Sequence, residues 1–273
     1  MNTTITRGRI ERTDTALFYE MTGSGPPLVF AHGLGGNHLS WWQQIAAFRD
    51  RYTCVAFAHR GFNPSLPVAG GPDPHDFAAD LAALADALEL GRFAYVGQSM
   101  GGWTGIEFAL AHPGRLSKLV LSATSGMIDP RSSPQSDLPR LDLWQSASAA
   151  AVADCRAKGI HVACGARMAA EQPAMHLLYQ QVDGLSLGLD KEKMLARLWE
   201  TRTRPASDLA RIDCPILWVT GDEDIVFASP AVPALAGHCA DATHVELPQT
   251  GHSGYFERPA AFNAALAPFL GRG

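Results

Sequence analysis

Ser99 lies at the centre of a Gly-x-Ser-x-Gly pattern that residues 97–101 form. An apolar run at 93–96 precedes it and a helical stretch follows, so the sequence predicts a strand, a sharp turn and a helix with Ser99 at the turn. Such a turn leaves no room for side chains at 97 and 101, which explains both glycines. A hydroxyl held there is a candidate nucleophile, because the helix start and the Met100 amide could stabilise a substrate oxyanion. The alternative is a glycine-rich turn with a bystander serine.

A serine nucleophile needs a base to take its proton, and the base needs an acid that orients it. His252 is the candidate base, because it lies in a Gly-flanked loop after the last predicted strand, at 243–247. The candidate acids are three carboxylates that follow the predicted strand at 215–219, namely Asp222, Glu223 and Asp224. The residues alone barely separate Asp222 from Asp224.

Composition limits the classes of partner. The 273 residues are 47% hydrophobic and 18% charged, as is ordinary for a globular protein with a full core. The net charge of −5 is small and the basic residues are dispersed, so we expect no nucleic-acid or membrane partner. Residues 1–5 lack the order of a signal peptide, and no apolar run approaches the ~18 residues that span a bilayer. These features predict a cytoplasmic protein.

Cysteine and histidine spacing gives no sign of a metal site. The five cysteines form no Cys-x-x-Cys pair, and the ten histidines show no close ligand spacing. A phosphate-binding Gly-x-x-x-x-Gly-Lys pattern is also missing from the sequence. We therefore expect no metal and no cofactor.

Strand-like and helix-like segments alternate along most of the chain, which predicts an α/β fold with a mainly parallel sheet covered on both faces. After a β-hairpin at 9–22, the predicted strands are 27–31, 52–57, 93–96, 119–121, 215–219 and 243–247. The predicted helices begin near 40, 74, 100, 229 and 259.

The alternation stops between residues 126 and 208, where the patterns are helical and four of the seven methionines occur. We interpret 126–208 as an inserted helical cap, or lid. Residues 1–125 and 209–273 then form the core domain.

Four segments together resemble the α/β-hydrolase superfamily with a helical cap. They are the His-Gly loop at 32–36, the Ser99 turn at 97–102, the Gly-Asp-Glu-Asp turn at 221–224 and the Gly-His loop at 251–252, in that order. The resemblance implies an eight-stranded, mostly parallel sheet with the catalytic order Ser, Asp, His. It favours Asp224, which comes three residues after the Gly of its turn. It also implies that the backbone amides of Leu34 and Met100 form the oxyanion hole.

Two departures from the family pattern stand out. Many members carry Asp before the Arg-Gly loop, whereas this chain has His59 followed by Arg60, and the sequence does not reveal the role of His59. The nucleophile is Ser rather than Asp, which argues against haloalkane dehalogenase and epoxide hydrolase chemistry.

The predicted activity is two-step acyl transfer on a small or medium, largely apolar carboxylic ester or lactone. Phe227 and Ser253 are the predicted substrate-binding residues, and the insertion offers further candidates for an apolar lining: Trp144, Met168, Met175 and Tyr179. Two alternatives stay open. A carbon–carbon bond hydrolase of a vinylogous diketone would use the same triad, and a non-catalytic ligand receptor could use the same fold. Oligomeric state is left open.

Overall fold

The computed structural model describes residues 4–271, so the outermost residues of the predicted core domain lie outside the described part. An eight-stranded sheet runs through it. Its strands are β1 (Thr6–Glu11), β2 (Ala16–Gly23), β3 (Pro27–Ala31), β4 (Thr53–Phe57), β5 (Phe93–Gln98), β6 (Leu116–Ser122), β7 (Ile216–Gly221) and β8 (Ala242–Leu247). Their order is β1-β2-β4-β3-β5-β6-β7-β8, with β2 antiparallel to both of its neighbours and the other pairs parallel. The predicted fold, an α/β-hydrolase sheet, is confirmed.

Helices connect the strands. They are α1 (Trp42–Phe48), α2 (Phe77–Ala87), α3 (Met100–Ala111), α4 (Leu138–Ala157), α5 (Gly165–Glu171), α6 (Pro173–Gly184), α7 (Lys191–Glu200), α8 (Val232–Ala236), α9 (Gly254–Glu257) and α10 (Pro259–Leu270). Asp73 caps a short 3-10 turn at Pro74–Asp76 that leads into α2. The short α9 was not anticipated from the sequence, since one helical turn carries too little periodicity to detect.

The sheet is buried on both faces, as successive strand residues show. Val29 and Ala31 of β3 pack in one core cluster with residues of α2, α3 and α8. Leu28 and Phe30 of the same strand pack in a second cluster with residues of α1 and α10. Because side chains alternate between the faces of a strand, β3 must be apolar at every position, which is the pattern of a central parallel strand.

The segment between β6 and β7 contains α4 to α7 and no strand among its described residues. Its two ends meet in an isolated parallel bridge, where Arg204 N–H donates to Met127 O at 3.0 Å and Asp129 N–H donates to Arg204 O at 2.9 Å. The segment therefore leaves and returns at one place beside the sheet. No described helix is long and apolar enough to cross a membrane.

Candidate active site

Ser99 occupies the sharp turn between β5 and α3. Its φ of 48° and ψ of −113° lie in a region that costs a non-glycine residue about 1–3 kcal/mol. A Cβ at Gly97 would lie 2.5 Å from the carbonyl oxygen of Gly101, so glycine is required where the backbone folds on itself. Tyr95 Oη donates to the same carbonyl at 2.7 Å, and Ser99 N–H donates to Ser122 O at 2.9 Å. These contacts fix the strained turn.

His252 and Asp224 form a buried pair. Nδ1 of His252 lies 2.9 Å from Oδ2 of Asp224, and each residue is only 4% exposed. The other carboxylate oxygen, Oδ1, accepts hydrogen bonds from the backbone amides of Val226 at 2.7 Å and Phe227 at 2.9 Å. Because an ionised carboxylate can only accept, Nδ1 carries the proton and Nε2 is left as a proton acceptor.

Asp222 makes a different contact. Its Oδ1 accepts the amide of Thr250 at 3.1 Å, and its side chain is exposed. It therefore braces the start of the loop that carries His252 without touching the imidazole. Of the two carboxylates that the sequence left open, Asp224 is the one that His252 contacts.

Gln98 connects three loops around Ser99. Its Nε2 donates to the carbonyl oxygen of His252 at 3.2 Å. A Cβ at Gly33 would lie 2.1 Å from Oε1 of Gln98 and 3.1 Å from Cβ of Ser99, so the His-Gly loop approaches the turn closely and a side chain at 33 would displace the Gln98 amide. Leu34 follows on that loop, and Met100 begins α3. The structure thus brings both predicted oxyanion-hole residues next to Ser99.

His59 forms a buried hydrogen-bond chain with His32 and Thr104. Nδ1 of His32 lies 2.8 Å from Gly33 O and must donate, because a carbonyl only accepts. Nε2 of His32 therefore accepts hydrogen bonds. One comes from the His59 amide at 3.0 Å, and His59 Nδ1 lies 3.2 Å away. With the proton on His59 Nδ1, its Nε2 accepts the Thr104 hydroxyl at 2.8 Å.

Both rings of this chain are neutral. Burial lowers the pKa of His32 to about 3 and lowers the pKa of His59 well below its ordinary value. Thr104 belongs to α3, the helix that begins after Ser99, and Gly33 belongs to the loop that carries Leu34. His59 therefore ties the His-Gly loop to the Ser99 helix, a structural role that the sequence did not reveal.

A cavity of about 320 Å³ opens beside Ser99, and the residues that line it come from the sheet loops and the insertion. Leu34, Ser99, Phe227 and His252 all line it, as does Tyr179 of α6. Ser253 is not among the described residues that line it. Ser253 is fully buried and lies 3.2 Å from the Tyr179 hydroxyl, so it supports the wall from behind.

The other insertion candidates also lie elsewhere. Trp144 donates its indole N–H to the Asp224 carbonyl at 3.1 Å, and Met168 and Met175 pack in the core cluster behind the cavity. The insertion residues that line the cavity include Leu195, Leu198 and Trp199 of α7, and Arg202 just after it. Their spacing, i, i+3, i+4 and i+7, is that of one helix face, a signal the sequence contained.

Glu257 lies behind the loop that carries His252. It is 3% exposed, its Oε1 accepts the amide of Gly251, and its Oε2 has no hydrogen-bond partner. Burial raises the pKa of this carboxyl to about 7. Among residues 4–271, no group of three or more His, Cys, Asp or Glu side chains could hold a metal ion.

Known proteins match this chain over nearly its whole length. A family model described as alpha/beta hydrolase fold matches residues 26–158. The chain is 30% identical to the putative carbamate hydrolase RutD of Caulobacter sp. strain K31, covering 94% of this chain and 97% of that one. It is 28% identical to 3-oxoadipate enol-lactonase 2 of Acinetobacter baylyi, covering 95% and 94%. A thermophilic esterase from Thermogutta terrifontis, solved with malate bound, matches with a TM-score of 0.76 and 25% identity, covering 97% and 98%.

Proposed function

Because the chain belongs to the α/β-hydrolase family and is a hydrolase, we propose that it cleaves a small or medium carboxylic ester or lactone through an acyl-enzyme on Ser99. The observation that carries the proposal is the arrangement around one cavity. Ser99, on its strained turn, and His252, held by Asp224, both line that cavity. A nucleophile, an oriented base and an acid are the groups that acyl transfer requires.

In the first half of the reaction, Ser99 Oγ attacks the carbonyl carbon and His252 Nε2 takes the hydroxyl proton. Asp224 keeps the proton on Nδ1 and stabilises the imidazolium. The amides of Leu34 and Met100 donate to the oxyanion, where the start of α3 adds positive potential. The carbon–oxygen bond then breaks, and His252 gives its proton to the leaving alkoxide.

In the second half, His252 takes a proton from water while the water oxygen attacks the acyl-enzyme. The oxyanion forms again at the same two amides, and its collapse releases the acid. The proton on His252 returns to Ser99 Oγ, so the cycle consumes one water and restores the enzyme. For a lactone, the alcohol and the acid are two ends of one product.

The segment at 126–208 acts as a cap in this proposal. The proposed catalytic groups all belong to the sheet loops, whereas α7 and the residues after it supply one wall of the cavity. The wall carries Leu195, Leu198 and Trp199, which suits an apolar part of the substrate. The relatives named as an enol-lactonase and an esterase support this class of substrate.

Pre-steady-state hydrolysis of 4-nitrophenyl butyrate tests the proposal. If an acyl-enzyme forms faster than it breaks down, 4-nitrophenol appears in a burst that matches the enzyme concentration. The Ser99→Ala protein, which loses only one hydroxyl, is expected to fold and to show neither burst nor turnover. Turnover by Ser99→Ala within tenfold of the wild-type rate would contradict the nucleophile assignment.

A further inference from the structure

Arg202 lies on the wall of the cavity that Ser99 and His252 also line. It follows the C-terminal end of α7. Its guanidinium carbon is 4.3 Å from the ring centre of Trp199 and 5.0 Å from that of Trp103, which belongs to the Ser99 helix. Two aromatic rings hold a cation favourably without neutralising its charge. The position of Arg202 is therefore fixed while its charge remains available.

No acidic side chain pairs with this guanidinium. Within residues 4–271, no carboxylate lies within 4.0 Å of it, and its buried Nε has no hydrogen-bond partner. Burial lowers the pKa of Arg202 to about 10 although the charge of Asp129 opposes the shift, so the group stays protonated near neutral pH. A half-buried cation without an anion is costly unless a ligand supplies one.

Arg60 and Arg204 show the contrast, because each of them pairs with carboxylates. The Arg60 guanidinium contacts Asp80 at 2.7 Å and Asp76 at 2.6 Å. Arg204, two residues beyond Arg202, makes a two-fold contact with Glu107 at 2.6 and 2.7 Å. The carboxylates that pair with Arg60 and Arg204 thus have no counterpart at Arg202 among the described residues.

The other charges that line the cavity leave Arg202 uncompensated. Lys191 donates to the carboxylate of Asp183, so these two opposite charges form a pair. Glu192 also lines the cavity, but its side chain is exposed and is screened by water. Among these charges, Arg202 is the half-buried one without an opposite charge beside it in the described residues.

We propose that Arg202 binds a carboxylate of the substrate, so that the preferred ester or lactone carries a free carboxylate away from the bond that is cleaved. The guanidinium presents N–H donors in the planar arrangement that matches a carboxylate. This inference rests on the proposed function and narrows it. The sequence predicts a largely apolar substrate, and Arg202 adds one anionic group to that description.

Two matched substrates test the proposal. They are 4-nitrophenyl hydrogen adipate, whose acyl chain ends in a carboxylate, and the corresponding ester whose chain ends in a primary amide. We expect the wild type to favour the carboxylate in kcat/KM by roughly 10- to 100-fold, mainly through KM, as a charge-assisted hydrogen bond provides. Arg202→Gln should abolish this preference while retaining turnover of the amide. Arg202→Lys should retain part of it, because the charge remains.

Arg140→Gln is the matched control, because Arg140 is exposed, lies at the start of α4 and does not line the cavity. It removes the same net charge and should leave the preference unchanged. Equal kcat/KM for the two substrates in the wild type, or an unchanged preference in Arg202→Gln, would overturn the proposal. In that outcome Arg202 would serve only to hold the two tryptophans.

Equilibrium binding separates this inference from the proposed function. By calorimetry, the Ser99→Ala protein should bind adipate more tightly than adipamide. The Ser99→Ala protein that also carries Arg202→Gln should bind the two with equal affinity. If the wild type hydrolyses neither ester but this difference is found, the proposed chemistry fails and the carboxylate site stands. If both esters are hydrolysed equally and adipate shows no advantage, the chemistry stands and the carboxylate site fails.

Discussion

Asp224 determines which ring nitrogen of His252 carries the proton. An amide in place of that carboxylate would move the proton to the other nitrogen. In Asp224→Asn the remaining oxygen would stay with the amides of Val226 and Phe227, and the new NH2 group would face His252 Nδ1. Two donors cannot face each other, so the proton would move to Nε2, the atom that must accept from Ser99. We expect kcat to fall by roughly two to four orders of magnitude.

Asp222→Asn is the matched control for that change. Its side chain contacts only the amide of Thr250 among the described partners, and an amide oxygen can accept the same hydrogen bond. Steady-state kinetics should show kcat within a few-fold of wild type. The opposite ranking of the two variants would show that the wrong carboxylate had been assigned.

Glu257 is expected to make stability depend on pH. Burial raises the pKa of its carboxyl from 4.5 to about 7, so the folded state prefers the protonated form. The stability that this group contributes is therefore fully present below about pH 4.5 and is lost as pH rises through about 7. The loss should amount to roughly 3 kcal/mol by pH 8.

Glu257→Gln tests this expectation, since a glutamine can keep the contact with the Gly251 amide and remains neutral at every pH. Urea unfolding of both proteins at pH 4.5, 6, 7 and 8 gives the difference in their free energies of unfolding. That difference should shift in favour of the variant as pH rises, whereas parallel curves would show that Glu257 does not titrate in this range.

At the scale of elements, the His32–His59–Thr104 chain joins the His-Gly loop after β3 to α3. Changing His59 to Phe would leave the Thr104 hydroxyl and His32 Nε2 each short of a partner. Changing Thr104 to Val would leave His59 Nε2 without its donor. Each change should lower the free energy of unfolding by about 1–3 kcal/mol.

The double variant is expected to cost less than the sum of the two single changes, by about 1 kcal/mol, because it removes both ends of the same contact. Chemical denaturation of the four proteins measures this coupling. Additive effects would mean that His59 and Thr104 do not stabilise each other.

The sequence predicted the turns and strands that depend on residues close together in the chain. The glycines at 97 and 101 indicate the Ser99 turn, and apolar runs bounded by Gly and Pro indicate the central strands. His59 and Arg202 could not be interpreted in this way. The partners of His59 lie 27 and 45 residues away in the sequence. Arg202 is distinguished by having no carboxylate partner among the described residues, and its Nε has no hydrogen-bond partner. Such properties arise only when distant elements pack together.

At the scale of the whole molecule, the sheet loops carry the proposed chemistry and the insertion supplies much of the cavity wall. Leu195→Ala and Trp199→Ala should therefore change which ester is preferred and leave the reaction intact. We expect relative kcat/KM among esters of different acyl length to shift by about 1–3 kcal/mol for each lost apolar contact.

Leu143→Ala and Leu187→Ala are the controls for this prediction. Both residues belong to the insertion, are 74% and 92% exposed, and do not line the cavity. They should leave the substrate ranking unchanged. If all four variants ranked the esters as the wild type does, the insertion would not act as a cap.

The most direct test of the account is the site at which a small fluorophosphonate labels the protein. The reagent modifies a serine that an oriented histidine activates, and trypsin releases Ser99 in the peptide 93–115. Mass spectrometry should find one adduct per chain, on Ser99, and none on the Ser99→Ala protein. An unlabelled wild-type protein, or an adduct on a different residue, would contradict an acyl-enzyme on Ser99.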